Sequence, residues 1–246
     1  MWDDTRSLNA LALLFVLTAA AMLLYGALAW AVRQPVFAIR RVIVDGALTR
    51  VNAAHVSAVV REELRGTFFT LRLADARASL QRVPWVKNVA LRRRWPDALE
   101  VTLAEHEPLA RWNDNALVDT DGEAFSADYD GELPQLAGPE GSAALVTDRY
   151  RQFGKALMPR SLSIAELRLS PRGAWQIRTS GNARLTIELG RSAPDERLMR
   201  LVSYYSKTLG ALARAGTPVE YVDLRYRNGF AARVPGFTEK TPRKGS

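Results

Sequence analysis

Residues 83–112 read VPWVKNVALRRRWPDALEVTLAEHEPLARW, and apolar and polar side chains alternate in them on both sides of a turn. After the turn, which residues 95–98 form, Leu99, Val101 and Leu103 share one parity and polar side chains share the other. A period of two is typical of a strand with one buried face. The stretch therefore predicts two adjacent strands joined by a tight turn, on which a small sheet can form.

Upstream of this strand pair, the sequence predicts one further strand and two helices. FAIRRVIV at residues 37–44 is typical of a strand, and an Asp-Gly turn signal follows it. Asn52 can cap a helix over residues 53–64, and a second helix is predicted over residues 73–82. The predicted module is therefore β-α-α-β-β over residues 36–107, with both helices on one face of a three-stranded sheet.

An uncharged apolar run of 23 residues, 10–32, precedes this module. As a helix it would span about 35 Å at ~1.5 Å per residue, which is enough to cross a bilayer core. A cleaved signal peptide is the alternative, because residues 29–31 (AWA) fit a small-x-small cleavage pattern. The length of the apolar core and the acidic residues Asp3 and Asp4 favour an uncleaved anchor behind a short tail, residues 1–9.

Charge alone leaves the orientation of this anchor open. Arg33, Arg40 and Arg41 follow the span and Arg6 precedes it, which by the positive-inside rule places the C-terminal side in the cytoplasm. The rule weakens when a large domain follows, because long domains are translocated largely regardless of their charge.

Residues 108–237 predict a second domain, a mixed β-sheet with flanking helices, and the fold class of the chain is therefore α+β. Strands are expected at 109–112, 116–118, 164–169, 174–179 and 184–189, and helices at 143–157 and 193–215. Residues 192–195 resemble a capping box for the last helix. The side chains that this helix is expected to bury are Leu198, Leu201, Val202, Tyr205, Leu209 and Leu212. Residues 238–246 form a polar tail that is expected to be disordered.

The last predicted element is a hairpin, VEYVDLRYRNGFAARVPGF at residues 219–237, with a two-residue Asn-Gly turn. Such a turn pairs Arg227 with Phe230, Arg225 with Ala232 and Asp223 with Val234. Only a polar tail follows, so the strand at 230–234 is expected at a sheet edge with its outer N–H and C=O groups unpaired. An open edge is either blunted, here by Arg233 and Pro235, or used to add a strand from another protein.

The sequence contains no recognisable catalytic or metal-binding constellation. It has no cysteine and two histidines, which excludes thiol catalysis and a cysteine-ligated metal. Residues 119–122 (DTDG) fit a tight turn better than a calcium loop, and Glu105 with Glu107 fits an exposed rim better than an acid–base pair. The sequence therefore predicts a protein that is not an enzyme and uses no cofactor.

The formal net charge of +8 is compatible with binding to nucleic acid, with binding to anionic lipid, or with simple solubility. The dense basic run at residues 92–94 is more typical of a solvated strand face than of a nucleic-acid patch. Nucleic acid is therefore not expected as a partner.

Five segments of the chain carry a resemblance to a known family. They are FAIRRVIVDG, the stretch at residues 83–112, ALVDTDGEAF, LTIELGR and YVDLRYRNG, in this order behind a single apolar span. With them the chain resembles the FtsQ/DivIB family of bacterial cell-division proteins over nearly its whole length. The resemblance implies a POTRA domain for the first module, a second domain termed β, a cytoplasmic N-terminus, and both domains in the periplasm at the inner membrane.

The resemblance also implies a role and a site. The role is that of a divisome scaffold that binds the FtsB–FtsL pair and recruits later proteins to the division septum. The POTRA domain and the anchor would serve contacts with other divisome proteins, and the anchor would lie in inner-membrane lipid. In this family context, strand addition by FtsB to the last strand is favoured over a blunted edge. The predicted partner-binding residues are Tyr226, Gly229, Phe230, Ala232, Val234 and Arg191.

Two other classes of function remain open at this point. A POTRA-type chaperone or transport component of the periplasm would be expected to carry several POTRA repeats or an attached outer-membrane barrel, and the sequence shows one module. A membrane-anchored nucleic-acid binder would use residues 92–94 on the cytoplasmic side, which the charge rule allows.

Overall fold

The structure is a computed structural model that describes residues 5–46, 48–51, 54, 56, 58–60, 67–181, 184–217, 219–226 and 229–234. It divides into two compact units, Met1–Glu105 and His106–Ser246, and each unit has its own apolar core. The predicted helix cap Asn52, the histidine His55 and the predicted tail at 238–246 lie outside the described residues.

The first unit begins with a long apolar helix, α1 (Thr5–Ala31). Within its 24-residue segment Leu8–Ala31, an 18-residue window has a mean hydropathy of 2.3. At ~1.5 Å per residue this segment reaches about 36 Å, the thickness of a bilayer core with some tilt. The helix is therefore long and apolar enough to cross a membrane.

The chain turns between α1 and the first strand. Pro35–Phe37 form a 3-10 turn, and strand β1 (Arg41–Asp45) begins four residues after that turn. The predicted strand start at Phe37 is therefore wrong. Proline favours the first position of a helical turn, and the N–H of Phe68 donates to the carbonyl of Phe37 over 2.7 Å, so a neighbouring turn holds this segment outside the sheet.

In the described part of the first unit, three strands form a sheet in the order β1-β3-β2. Strands β2 (Val86–Arg94) and β3 (Ala98–Glu105) are antiparallel, as residues 83–112 predicted, and β1 lies parallel to β3. Helix α2 (Leu73–Leu80) confirms the second predicted helix. Where the first predicted helix is described, at residues 54, 56 and 58–60, the chain is helical. The fully or nearly fully buried core side chains of this unit include Val56, Val60, Leu80, Leu99 and Val101.

The carboxylate of Glu105, at the end of β3, binds the backbone of residues 49–51. It accepts hydrogen bonds from the backbone N–H groups of Thr49 (3.0 Å), Arg50 (3.1 Å) and Val51 (2.8 Å), and from the Thr49 hydroxyl (2.9 Å). Burial by itself raises the pKa of this carboxyl, but the hydrogen bonds to its ionised form outweigh burial and hold the pKa below its usual value. Glu105 is therefore not the exposed rim residue that the sequence suggested.

We expect Glu105→Gln to lower the free energy of unfolding of the first unit by about 1 kcal/mol at neutral pH, the size of a lost helix cap. Because the folded-state pKa is depressed, the carboxylate stabilises the fold above its unfolded-state pKa, and this contribution is lost as the pH falls through the folded-state pKa. Hydrogen exchange of β1 and β3 in the full chain measures the effect. Glu107→Gln, at a neighbouring exposed position, is the matched control. A loss of equal size at neutral and acid pH would contradict the prediction.

Among the described residues, the second unit forms one mixed sheet of nine strands in the order β12-β11-β10-β9-β8-β7-β4-β5-β6. The strands are β4 (Pro108–Trp112), β5 (Ala116–Asp119), β6 (Ala124–Phe125), β7 (Gln135–Ala137), β8 (Ser163–Leu169), β9 (Trp175–Ser180), β10 (Thr186–Gly190), β11 (Tyr221–Asp223) and β12 (Ala231–Arg233). Strands β6 and β7 were not predicted, because two or three residues are too few to show a period of two.

Two helical crossovers give this sheet its covered face. Helix α3 (Ala143–Leu157) lies between β7 and β8, and helices α4 (Pro194–Tyr204) and α5 (Leu209–Arg214) lie between β10 and β11. Both strand pairs are parallel, and parallel strands need such a crossover connection. The core between the helices and the sheet includes Phe153, Leu157, Leu198, Leu201, Leu167, Ile177, Ile187 and Val222.

The last predicted helix, residues 193–215, is interrupted. A 3-10 turn at Tyr205–Lys207 separates α4 from α5, and the hydroxyl of Thr208 donates to the carbonyl of Tyr204 at 2.8 Å. A side chain that takes a helix carbonyl in this way competes with the helix's own N–H donors and bends it. Leu212, predicted to be buried, is therefore exposed, and Tyr205 is half-buried. The prediction of burial is confirmed for the other four side chains, Leu198, Leu201, Val202 and Leu209.

The predicted capping box is also wrong. Ala193 is the N-cap of α4, in the left-handed region with φ of +47°, and Pro194 takes the first helical position. Ser192 lies one residue too early to cap, and an alanine has no side-chain acceptor. The fixed φ of proline starts the helix in place of a side-chain cap.

Candidate partner-binding site

Strand β12 is the terminal strand of the second unit's sheet as the structure describes it, with β11 as its hydrogen-bonded neighbour. The edge position predicted for residues 230–234 is therefore seen. On the other side of β12 no described strand is paired with it. The backbone groups of an open strand edge are a template for a strand from another chain.

The register of β12 differs from that of the predicted hairpin. Tyr221 lies opposite Arg233, Val222 opposite Ala232, and Asp223 opposite Ala231. The predicted pairs of Asp223 with Val234 and of Arg225 with Ala232 are therefore wrong.

The predicted pair of Arg227 with Phe230 was derived from the Asn-Gly turn at residues 228 and 229. Arg227 and Asn228 themselves lie outside the described residues. In the observed register, a connection of residues 224–230 joins β11 to β12.

Asp223 ends β11 and explains the shift in register. Its carboxylate accepts hydrogen bonds from the backbone N–H of Arg225 at 2.9 Å and from the Arg225 guanidinium at 2.6 Å. Such a side-chain-to-backbone turn competes with continued strand pairing. Leu224 is buried in the core, and its N–H donates to the carbonyl of Glu188 in β10. The chain therefore leaves the β11–β12 pairing before the Asn-Gly pair is reached.

The charges at this turn stabilise one another. The hydrogen bonds from Arg225 hold the pKa of Asp223 below its usual value, and Asp223 in turn raises the pKa of Arg225. Burial, followed by the nearby carboxylates of Glu188 and Asp223, raises the pKa of Tyr221. The ion pair that ends β11 is therefore charged throughout the physiological pH range.

Gly190 packs this turn against helix α4. Its φ is +72°, and a Cβ there would lie 2.8 Å from the guanidinium of Arg197 and 3.0 Å from Cγ of Arg225. Arg197 donates to the carbonyl that precedes Gly190, at 2.5 Å, and Arg200 donates to the carbonyl of Tyr226 at 3.3 Å. The end of β10, helix α4 and the connection before β12 thus form one packed corner.

The predicted residues Tyr226 and Arg191 lie at this corner. Tyr226 is 59% exposed although Arg200 holds its backbone, so the structure presents a positioned aromatic side chain to solvent. Arg191 follows Gly190 directly, is exposed, and forms no ion pair or hydrogen bond within the described part of the chain. Because β10 and β11 are parallel, their carboxyl ends lie side by side. Arg191 follows the carboxyl end of β10, and Tyr226 lies shortly after that of β11.

The other predicted residues lie on or beside β12. Phe230 and Val234 are half-buried and pack against the core, while Ala232 between them is exposed. These three alternate positions share the face of Val222, and Ala231 shares the polar face of Tyr221. Gly229 is half-buried in the connection. All six predicted residues thus lie at one end of the sheet, although the pairing proposed for them from the sequence was incorrect.

The sequence reasoning missed the residues that hold this site in place. Arg197 and Arg200 of α4 and the pair of Asp223 with Arg225 position the connection before β12. One signal for them was available, since an aspartate two residues before an exposed polar residue is typical of a side-chain-to-backbone turn.

A buried polar cluster lies at the opposite end of the sheet. Nδ1 of His106 lies 2.8 Å from Oδ2 of Asp119, whose Oδ1 accepts the N–H groups of Asp121 and Glu123 at 2.9 Å. The ring of Phe125 stacks on His106 at 4.2 Å. Ligand atoms of His106, Asp119 and Glu123 lie within 4.8 Å of one another, which is close enough to hold a metal ion. Both Asp119 oxygens are already hydrogen-bonded, so the cluster closes the predicted turn at this position and does not present an open ligand set.

Comparison with known proteins places both units in described families. The model described as "Cell division protein FtsQ/DivIB, C-terminal" matches residues 110–225, and the model described as "POTRA domain, FtsQ-type" matches residues 37–106. The cell division protein FtsQ of Burkholderia pseudomallei is 42% identical, with 96% of this chain and 95% of that protein covered. The FtsQ proteins of Nitrosospira multiformis (36% identical; 95% and 99% covered) and Escherichia coli (34% identical; 93% and 84% covered) are also similar.

Proposed function

Because the chain belongs to the FtsQ/DivIB family of cell division proteins, we propose that it is a non-enzymatic divisome scaffold that binds the FtsB–FtsL pair through the edge of its second domain. The observation that supports this proposal most directly is the terminal position of β12 in the sheet. Beside this open edge lie an exposed tyrosine, Tyr226, and two half-buried apolar side chains, Phe230 and Val234.

A strand of FtsB adds to β12 in this proposal. The backbone groups of the added strand supply affinity, and its side chains contact the face formed by Phe230, Ala232 and Val234. Tyr226 contributes a large rigid surface at the rim, and Arg191 contributes a charge that the described part of the chain leaves unpaired. Both residue types are common among the few interface positions that contribute most of the binding energy.

The cellular arrangement that we propose follows the family. The apolar span at residues 10–32, most of which lies in helix α1, anchors the chain in the inner membrane, and the short tail at residues 1–9 lies in the cytoplasm. The POTRA domain, residues 36–107, and the β domain, residues 108–237, lie in the periplasm. The POTRA domain and the anchor contact other divisome proteins and help to bring later ones to the septum.

We expect Ala232→Asp to weaken binding of the FtsB–FtsL pair at least about tenfold, or about 1.4 kcal/mol, because it places a charge within the face that the added strand covers. Ala231→Asn is the matched control, because it introduces a polar side chain of nearly the same size at an exposed position of the same strand, on the opposite face, without placing a like charge opposite Asp223. Titration of the purified full chain in detergent with the soluble parts of FtsB and FtsL measures both. Binding that is unchanged in Ala232→Asp, or equally weakened in the two variants, would refute the proposed face.

A further inference from the structure

The first unit gathers exposed apolar side chains at the end where helix α1 enters it. The hydroxyl of Thr67 donates to the carbonyl of Val32, one residue past the end of α1, over 2.7 Å. Ala38 forms an isolated bridge with the same threonine. The chain from Val32 to Ala38 therefore folds back on itself, and the turn that contains Thr67 lies directly at the end of the apolar helix.

Aromatic rings surround this junction. Phe69 packs edge-to-face against Phe37 at 5.2 Å and against Phe68 at 5.3 Å. Packing against these rings leaves Phe69 50% exposed, and the neighbouring Val36 is 72% exposed. Exposing such large apolar side chains to water is unfavourable, whereas next to the end of an apolar helix they can be buried in a membrane interface.

The turn between β2 and β3 lies at the same end of the unit. The N–H of Arg40, two residues past Ala38, donates to the carbonyl of Asp97 in this turn over 2.9 Å. Trp95 in the turn is 75% exposed. Tryptophan is enriched at the boundary between bilayer and water, where its ring is apolar and its N–H can be hydrated.

Unpaired positive charge surrounds these apolar side chains. Two of the arginines at this end are neutralised, since Arg41 pairs with Asp97 at 2.9 Å and Arg72 pairs with Asp75 at 3.2 Å. Arg93 donates to the carbonyl of Leu71 at 2.6 Å. The exposed arginines at this end whose side chains form neither an ion pair nor a hydrogen bond with a described residue are Arg33, Arg40, Arg92 and Arg94. The dense basic run at residues 92–94 therefore lies at the turn end of the β2–β3 hairpin. This end of the hairpin is hydrogen-bonded to the chain that follows α1.

We propose that this membrane-proximal pole, formed by the exposed side chains of Val36, Phe69 and Trp95 and by the four unpaired arginines, rests in the anionic headgroup region of the bilayer that α1 crosses. The headgroup region is roughly 5–8 Å deep on each side, which accommodates side chains one turn beyond the end of a spanning helix. The aromatic and valine side chains lie among the glycerol and upper acyl groups, and the arginines extend to lipid phosphates. The proposal rests on membrane crossing by α1, but it is independent of partner binding at β12 and of the direction in which α1 crosses.

The absence of cysteine from the chain allows a direct test. Phe69→Cys and Trp95→Cys, each labelled with a nitrobenzoxadiazole fluorophore, are reconstituted as full chains in vesicles of phosphatidylethanolamine and phosphatidylglycerol. The control is Ala104→Cys, an exposed position about 20 Å along β3 from Ala98, at ~3.4 Å per residue. Nitroxide lipids labelled just below the headgroup should quench the labels at positions 69 and 95 severalfold more than the label at 104.

Two results would overturn the proposal. Quenching at positions 69 and 95 that does not exceed quenching at 104 would place the pole in water. If the label at position 95 is quenched equally in vesicles of pure phosphatidylcholine, the arginines and anionic lipid do not contribute to holding the pole at the membrane. Far-UV circular dichroism confirms that each labelled chain is folded. Binding of FtsB–FtsL to the same variants should be unchanged, so failure here is distinguishable from failure of the proposed function.

Discussion

Tyr226→Ala should weaken binding of the FtsB–FtsL pair about 30-fold, a loss of about 2 kcal/mol that is typical of a tyrosine hot spot. The tyrosine is 59% exposed, yet its backbone is fixed by the hydrogen bond from Arg200, so little conformational entropy is lost when a partner covers it. Tyr226 also lies in the connection that leads into β12, so in this proposal its ring seals the end of the added strand from water.

Isothermal titration calorimetry of the full chain in detergent with the soluble parts of FtsB and FtsL can measure this loss of affinity. Tyr204→Ala is the matched control, because Tyr204 is an exposed tyrosine of helix α4 with 56% exposure. Tyr226→Phe separates the ring from the hydroxyl: if buried ring area provides the affinity, most of the binding is retained. Equal affinities for Tyr226→Ala and Tyr204→Ala would refute the assignment of Tyr226 to the interface.

Asp119→Ala is expected to lower the free energy of unfolding of the second unit by about 3–5 kcal/mol, the cost of leaving buried polar partners without their charged acceptor. The side chain of Asp119 is fully buried, and its removal deprives His106 and the N–H groups of Asp121 and Glu123 of a hydrogen-bond acceptor. Asp119→Asn keeps an oxygen for the two N–H groups, so its cost is expected to be only about 1 kcal/mol.

Urea denaturation of the full chain, with hydrogen exchange read at β4 and β5, reports on the unit that contains this cluster. Asp114→Ala, in the exposed turn between the same two strands, controls for the loss of an acidic side chain. If Asp119→Ala is no more destabilising than Asp114→Ala, the cluster does not stabilise the fold.

The elements that could be predicted are those whose signal is local. Helix α3 spans Ala143–Leu157, the range predicted from its apolar spacing, and β2 and β3 follow from their alternation. The break between α4 and α5 could not be predicted from periodicity, because the apolar pattern continues through Thr208. What ends the helix there is a side-chain hydrogen bond, and periodicity contains no information about such a bond.

The candidate site shows the same division. The edge position predicted for the last strand is seen among the described strands, and Tyr226, which was predicted as a contact residue, is exposed. The register of β12 does not follow from the sequence, because Asn-Gly is only a local preference. The carboxylate of Asp223 and the burial of Leu224 beside β10 take the chain out of the strand earlier.

The sequence by itself determined the apolar span, the strand pair of residues 83–112, the exclusion of thiol chemistry, and the terminal position of the last described strand. Only the tertiary structure decided the order of the nine described strands, the pairing of β12, and the corner that positions Tyr226. The physical reason is that alternation along a strand specifies which face is buried, whereas its neighbour and register are selected by contacts between residues distant in the chain.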